Sequence, residues 1–180
     1  MKLDRATIER ALAATAARLQ NAGITGEICI FGGAAMVLAF DARAATRDVD
    51  AVFRPPDVVR RFAAEIADEM SLPADWLNDS VKGFASAVQD YVEDDMPQFP
   101  SLRVMRPSAA YLFAMKCMAA RVEGYDTSGD KDDALFLARH LGLKSAAAAL
   151  NIIERYFPPE RLHVKTRFFV EETIQELVRH

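Results

Sequence analysis

Apolar positions recur at helical spacing toward both ends of the chain and gather into short, dense runs between them. Ile8, Leu12 and Leu19, with alanines between them, predict a first amphipathic helix that stops near Asn21 and Gly23. The run "EICIF" then reads as a short buried strand. Gly32 and Gly33 break it, and "AAMVLAF" continues as a helix of strong formers. "DVDAVF" alternates and is rich in β-branched and aromatic residues, which predicts a second strand. Pro55 and Pro56 end that strand. Asp57 opens a helix in which Val58, Phe62, Ile66 and Met70 recur at helical spacing.

From Ser71 to Pro107 the pattern weakens into turn-rich stretches such as "PADWLND", "KGF" and "EDDMPQFP", and only "SLRVM" reads as a strand. Helical patterns return in "SAAYLFAMKCMAARVEG", "DKDDALFLARHLG", "SAAAALNIIERYF" and, after Pro158 and Pro159, "KTRFFVEETIQELVR". The expected fold is α/β (α+β): a core over residues 1–106 built on a small mixed sheet with flanking helices, and a helical subdomain over residues 107–180 packed on it. No internal repeat or low-complexity linker is visible.

Composition supports folding without naming a function. The 180 residues are 51% hydrophobic and 27% charged, with 11 Phe against 8 Gly and 8 Pro, the balance of a chain with a real core. A formal net charge of −4 gives no global attraction to nucleic acid or anionic membrane. Cys29 and Cys117 sit in apolar runs and read as reduced core residues of a cytoplasmic protein. Charges at Asp4, Arg5, Glu9, Arg10 and Arg18 interrupt the first helix, so no signal peptide is expected. No uncharged apolar stretch reaches the length of about 18 residues that a membrane span needs.

The chemistry concentrates in "IFGGAAMVLAFDARAATRDVDAVF". On a strand, Asp48 and Asp50 share a face about 6.6 Å apart, while Val49 and Ala51 point the other way. Two carboxylates on one face repel. They are tolerable when exposed, or when a hard divalent cation such as Mg²⁺ lies between them. Gly32 and Gly33 stand where strand passes to helix, and there backbone amides can approach a phosphate without side chains in the way.

This glycine pair opening a helix, followed by Asp-x-Asp on the next strand, resembles the signature of the DNA polymerase β-like nucleotidyltransferase superfamily. Arg43 and Thr46 in "RAATRDVD", the "WLND" at Trp76 to Asp79, and "AMKCMAAR" followed by "DKDDALFL" are similar to its bacterial subgroup of abortive-infection, type IV toxin-antitoxin nucleotidyltransferases and their uncharacterised relatives. The similarity runs over residues 30–142. It implies that Asp48 and Asp50 bind Mg²⁺, and that a nucleotidyl group moves from a nucleoside triphosphate to an acceptor: tRNA, a protein or a small molecule. It also implies that Gly32, Gly33 and Thr46 contact the nucleotide, with Arg43 as a further candidate. An antitoxin is an implied partner. Superfamily members commonly add a third carboxylate from a later strand. "SLRVM" has none, which leaves Asp90, Asp94 or Asp95 if a strand runs through "AVQDYVEDD", a contribution from the helical half, or lost activity. The alternative function is a non-catalytic nucleotide- or partner-binding module on the same fold.

In the helical half, Leu112, Met115, Ala119 and Val122 form one stripe, and Lys116 falls about 40° from Leu112 at its edge. Such a lysine either snorkels to water or reaches a ligand phosphate as a point charge. The resemblance favours the second role, catalytic and nucleotide-binding. Asp130 and Asp133, one turn apart, suit a helix N-terminus; by resemblance one of them is a partner of Lys116 or a substrate contact. His140, His163 and His180 lack zinc-ligand spacing. Trp76 reads as core, Asn78 and Asp79 as turn or capping residues, and Ser80, Ser86 and Ser108 have no nearby histidine to mark a triad.

Overall fold

A computed structural model describes residues 1–120 and 129–179. The chain divides into two compact units, Met1–Phe84 with Tyr91–Arg106, and Ala85–Asp90 with Pro107–His180. The class is mixed α/β, with seven α-helices among the described residues, a five-stranded mixed sheet and a two-stranded one.

The first unit opens with a two-residue strand, β1 (Leu3–Asp4), and helix α1 (Arg5–Asn21). The side chain of Asp4 caps α1 by accepting from the Thr7 amide at 2.8 Å, and the expected stripe of Ile8, Leu12 and Leu19 is fully buried. Strand β2 (Gly26–Ile30), helix α2 (Gly32–Leu38), strand β3 (Ala45–Thr46) and strand β4 (Val49–Arg54) follow, then helix α3 (Pro56–Met70). Helix α3 buries Val59, Phe62, Ala63, Ile66 and Ala67. Phe62 and Ile66 are buried as expected, while Val58 and Met70 are half-buried at the edges of the face.

Between Met70 and Pro107 the single expected strand is joined by two that the sequence pattern hides. Strand β5 (Leu77–Asn78), strand β6 (Tyr91–Val92) and strand β7 (Leu102–Pro107) complete a sheet of order β5-β4-β2-β7-β6. Strand β2 runs antiparallel to β4 and parallel to β7, and β4 runs parallel to β5. Opposed residues share a face, so the pairings Ile30↔Ala51, Cys29↔Val52 and Cys29↔Met105 assign every side chain. Ile28, Ile30, Val49, Ala51, Phe53, Leu102 and Val104 form a buried face, with α3 packed on β4 and α1 on α3. The other face carries Glu27, Asp50, Val52, Arg54, Arg103 and Met105, all half-buried or exposed, around a buried Cys29.

The second unit is helical: α4 (Ala109–Ala119), α5 (Asp130–His140), α6 (Ala146–Tyr156) and α7 (Val164–Arg179). Helix α4 packs against the other three and buries Tyr111, Leu112, Phe113, Ala114, Lys116 and Cys117. The expected single stripe is therefore corrected: Met115 is half-buried and Ala119 exposed. The helix is hydrophobic nearly all round because it is central. Residues Arg121 to Gly124 of the expected helix, Val122 included, lie outside the described residues, as does His180. Segment Ala85–Asp90 joins this unit through hydrogen bonds. Ser86 donates its amide to the Tyr111 hydroxyl at 2.6 Å and its hydroxyl to the Tyr156 carbonyl at 2.5 Å. Ser108 and Tyr156 both donate to Asp90 Oδ2, at 2.5 and 2.6 Å.

Both cysteines are free and buried, and burial pushes both thiols well above the usual range. Among the described residues no helix is long and apolar enough to cross a membrane.

Candidate functional site

The open end of β4 brings the glycine pair and the aspartates together. Strand β2 ends at Ile30, the Phe31 amide donates to the Asp50 carbonyl at 2.8 Å, and the chain then turns through Gly32 at a left-handed φ of 58°. A side chain there would be strained, and its Cβ would stand 3.3 Å from Asp50 Oδ2. At Gly33 a Cβ would come within 2.6 Å of Thr46 Oγ1 and 3.4 Å of Arg43 Nη1. Thr46 is held in that place by β3, which pairs antiparallel with β1 in the register Leu3↔Thr46. Five residues chosen from the sequence, Gly32, Gly33, Arg43, Thr46 and Asp50, therefore meet at one bend.

Asp48 lies immediately before β4 and Asp50 within it; both are half-buried while Val49 and Ala51 are buried, so the two carboxylates share the more open side. Burial, then the charge of Asp50, then that of Asp75 hold the Asp48 carboxyl above the usual carboxylate range, against the opposing pull of Arg47. Asp48 and Asp50 accept from neutral donors. Asn78 Nδ2 reaches Asp48 Oδ2 at 3.5 Å and Ser80 Oγ reaches Asp50 Oδ1 at 3.2 Å.

Both donors come from β5 and the turn after it. Asp50 stands level with Asn78 in the parallel β4–β5 pair, and the Val49 amide bonds the Trp76 carbonyl at 2.6 Å. Trp76 is core, as its sequence suggests: fully buried, with its indole N–H on the Ala63 carbonyl at 2.9 Å. Asn78 and Asp79 are more than turn residues. Asp79 is gripped by Lys82 and Arg60, each at 2.6 Å, which holds its carboxyl down to about 2. That grip pins the Asn78–Ser80 turn to α3.

No third carboxylate arrives from the strands where one was sought. On β7 the face shared with Val52 and Cys29 carries Arg103 and Met105. The strand expected through "AVQDYVEDD" is only Tyr91–Val92. Asp90 belongs to the helical unit and serves Ser108 and Tyr156, while Asp95 pairs with Arg106 at 3.8 Å and the Asp94 carbonyl accepts from Arg106. Among the described residues no three His, Cys, Asp or Glu side chains form a set able to hold a metal by themselves. Two carboxylates nevertheless fit Mg²⁺, which keeps several waters and binds through one or two carboxylates with substrate phosphates. The mutual repulsion of Asp48 and Asp50 is what such a cation would relieve.

In the helical unit, Lys116 is not the snorkelling residue that an edge position allowed. It is buried, its Nζ 2.7 Å from Asp130 Oδ1 and 2.8 Å from Asp133 Oδ2. The two aspartates open α5 after Gly129, so both carboxylates, and not one, are partners of the lysine.

No family model, no curated protein and no solved structure matches the chain.

Proposed function

We propose that this protein is a Mg²⁺-dependent nucleotidyltransferase that binds a nucleoside triphosphate at the Gly32–Gly33 bend and passes its nucleotidyl group to an acceptor. The observation that carries this reading is the 3.3 Å between a Cβ position at Gly32 and Asp50 Oδ2, which sets the side-chain-free bend directly against one of the two carboxylates. A polyphosphate on the bend lies within reach of a cation on Asp48 and Asp50.

Asp48 and Asp50 would hold the metal; when bound, it polarises the α-phosphate and neutralises the leaving pyrophosphate. The chain's own task is positioning. Thr46 Oγ1 and Arg43, close against Gly33, supply a hydroxyl and a positive charge to the same phosphates. The acceptor is tRNA, a protein or a small molecule, and a toxin paired with an antitoxin is the corresponding biological role.

Calorimetry with ATP, GTP, CTP and UTP, with and without Mg²⁺, tests the reading. At least one triphosphate binds only with Mg²⁺, and Asp50→Asn abolishes that binding. Absence of binding by all four at millimolar concentration overturns the proposal. The want of a third carboxylate on β7 favours a second reading, a non-catalytic nucleotide-binding module. Metal-dependent binding without pyrophosphate release in cell extract selects that module over the enzyme.

A further inference from the structure

Each of the two carboxylates is met by a specific neutral donor, and the two donors, at the end of β5 and just after it, are two residues apart. The Asn78 side chain links Ser80 to Asp48. Its Oδ1 accepts the Ser80 amide at 3.1 Å and the Ser80 hydroxyl at 2.5 Å, while its Nδ2 faces Asp48 at 3.5 Å. This pattern fixes the amide orientation: reversed, Nδ2 would meet the Ser80 amide donor and Oδ1 would meet a carboxylate. The Ser80 hydroxyl, with one proton, lies between two acceptors, Asn78 Oδ1 at 2.5 Å and Asp50 Oδ1 at 3.2 Å. It donates to one at a time.

We infer that Asn78 and Ser80 are positioning residues that hold Asp48 and Asp50 side by side for a divalent cation, in a chain whose β7 strand offers no third carboxylate to do so. The inference rests on the proposed function and deepens it by naming what orients the metal-binding pair. Asn78 donates to Asp48, and Ser80 donates either to Asp50 or to Asn78. Ser80 holds Asp50 through Oδ1, while Oδ2, the oxygen that faces the Gly32 bend, is left for the cation. Asp79, held by Arg60 and Lys82 at 2.6 Å each, anchors the turn and keeps both donors in place. Each residue acts through an aspartate.

Binding of Mn²⁺ to the full chain without nucleotide, followed by electron paramagnetic resonance, tests this independently of any activity. Ser80→Ala is expected to weaken Mn²⁺ roughly ten-fold or more, the scale on which loss of a ligand's hydrogen-bond partner acts. Ser80→Thr, which keeps the hydroxyl, restores wild-type affinity, and Asn78→Ala loses affinity as Ser80→Ala does. Thermal midpoints in the absence of metal identify a folding defect, since a merely structural role lowers them and leaves the affinity of the folded protein alone. Ser80→Ala and Asn78→Ala binding Mn²⁺ like wild type, while Asp50→Asn binds none, overturns the positioning role and leaves the proposed function standing. A wild-type chain that binds no Mn²⁺ even with triphosphate present overturns both.

Discussion

The two units treat clustered aspartates in opposite ways. In the helical unit Asp130 and Asp133 close on the Lys116 ammonium at 2.7 and 2.8 Å, with Asp133 and the lysine buried, so the chain supplies its own counter-charge. In the sheet unit Asp48 and Asp50 sit half-buried with neutral donors, and among the described residues neither takes part in an ion pair. Burying an unanswered charge is costly, and the helical unit avoids that cost with a lysine. The sheet unit leaves the repulsion in place at its open face. That contrast separates a cluster with its own counter-charge from the pair proposed above to take a cation.

The sharpest way to break the contrast is to remove the lysine. Lys116→Ala leaves two carboxylates facing each other between α4 and α5 and should cost about 3 kcal/mol, read from urea unfolding. A loss near zero would mean that the trio contributes nothing to holding the helices. Next in size is the bend. Gly32→Ala forces a left-handed φ on alanine and brings a methyl toward Asp50, with an expected cost of about 1–2 kcal/mol and weaker Mn²⁺ binding. Ser108→Ala removes both the N-cap of α4 and a donor to Asp90, for about 1 kcal/mol, with Mn²⁺ binding unchanged.

The smallest effect has the opposite sign. Because the folded-state pKa of Asp48 is raised above 3.8, the native chain holds the extra proton between 3.8 and that raised value, so the contribution of Asp48 to stability falls as pH climbs through this window. Asp48→Asn is therefore expected to raise the urea midpoint at neutral pH while abolishing Mn²⁺ binding, and the gain disappears below the window. Asp79 provides the reverse slope: its carboxyl is held down to about 2, so its stabilisation is present above 3.8 and lost as pH falls toward 2. Lying at the surface, that second slope is shallow.

What could be read beforehand was whatever depends on neighbours in sequence. The α1 stripe, the glycine break after β2 and the alternation of Asp48, Val49, Asp50 and Ala51 are local patterns, and the sheet keeps each. Thr46 also belonged to a motif read from the chain. Asn78 stands within "WLND" but reads as a turn or capping residue, and Ser80 reads as having no role, because "NDS" is turn chemistry in any context. Its meaning comes from a two-residue parallel pairing with β4 that has no alternation to announce it. The burial of Lys116 was hidden for a related reason: a helix enclosed by three others has no wet edge for a lysine to reach, and enclosure is a property of the tertiary arrangement. The missing third carboxylate was legible from "SLRVM", whereas the fates of Asp90 and Asp95 required their partners Tyr156 and Arg106.

The knot of Ser86, Asp90, Ser108, Tyr111 and Tyr156 has a practical bearing on how the polypeptide can be divided. The chain enters the helical unit at Ala85, leaves it after Asp90 and returns at Pro107, so a single cut at the second border strands the first visitor. A fragment beginning at residue 107 would carry the phenols and the α4 cap but lack the carboxylate and the serine that hold them. Dissection into autonomous halves therefore calls for grafting the six-residue excursion, not merely choosing a new start.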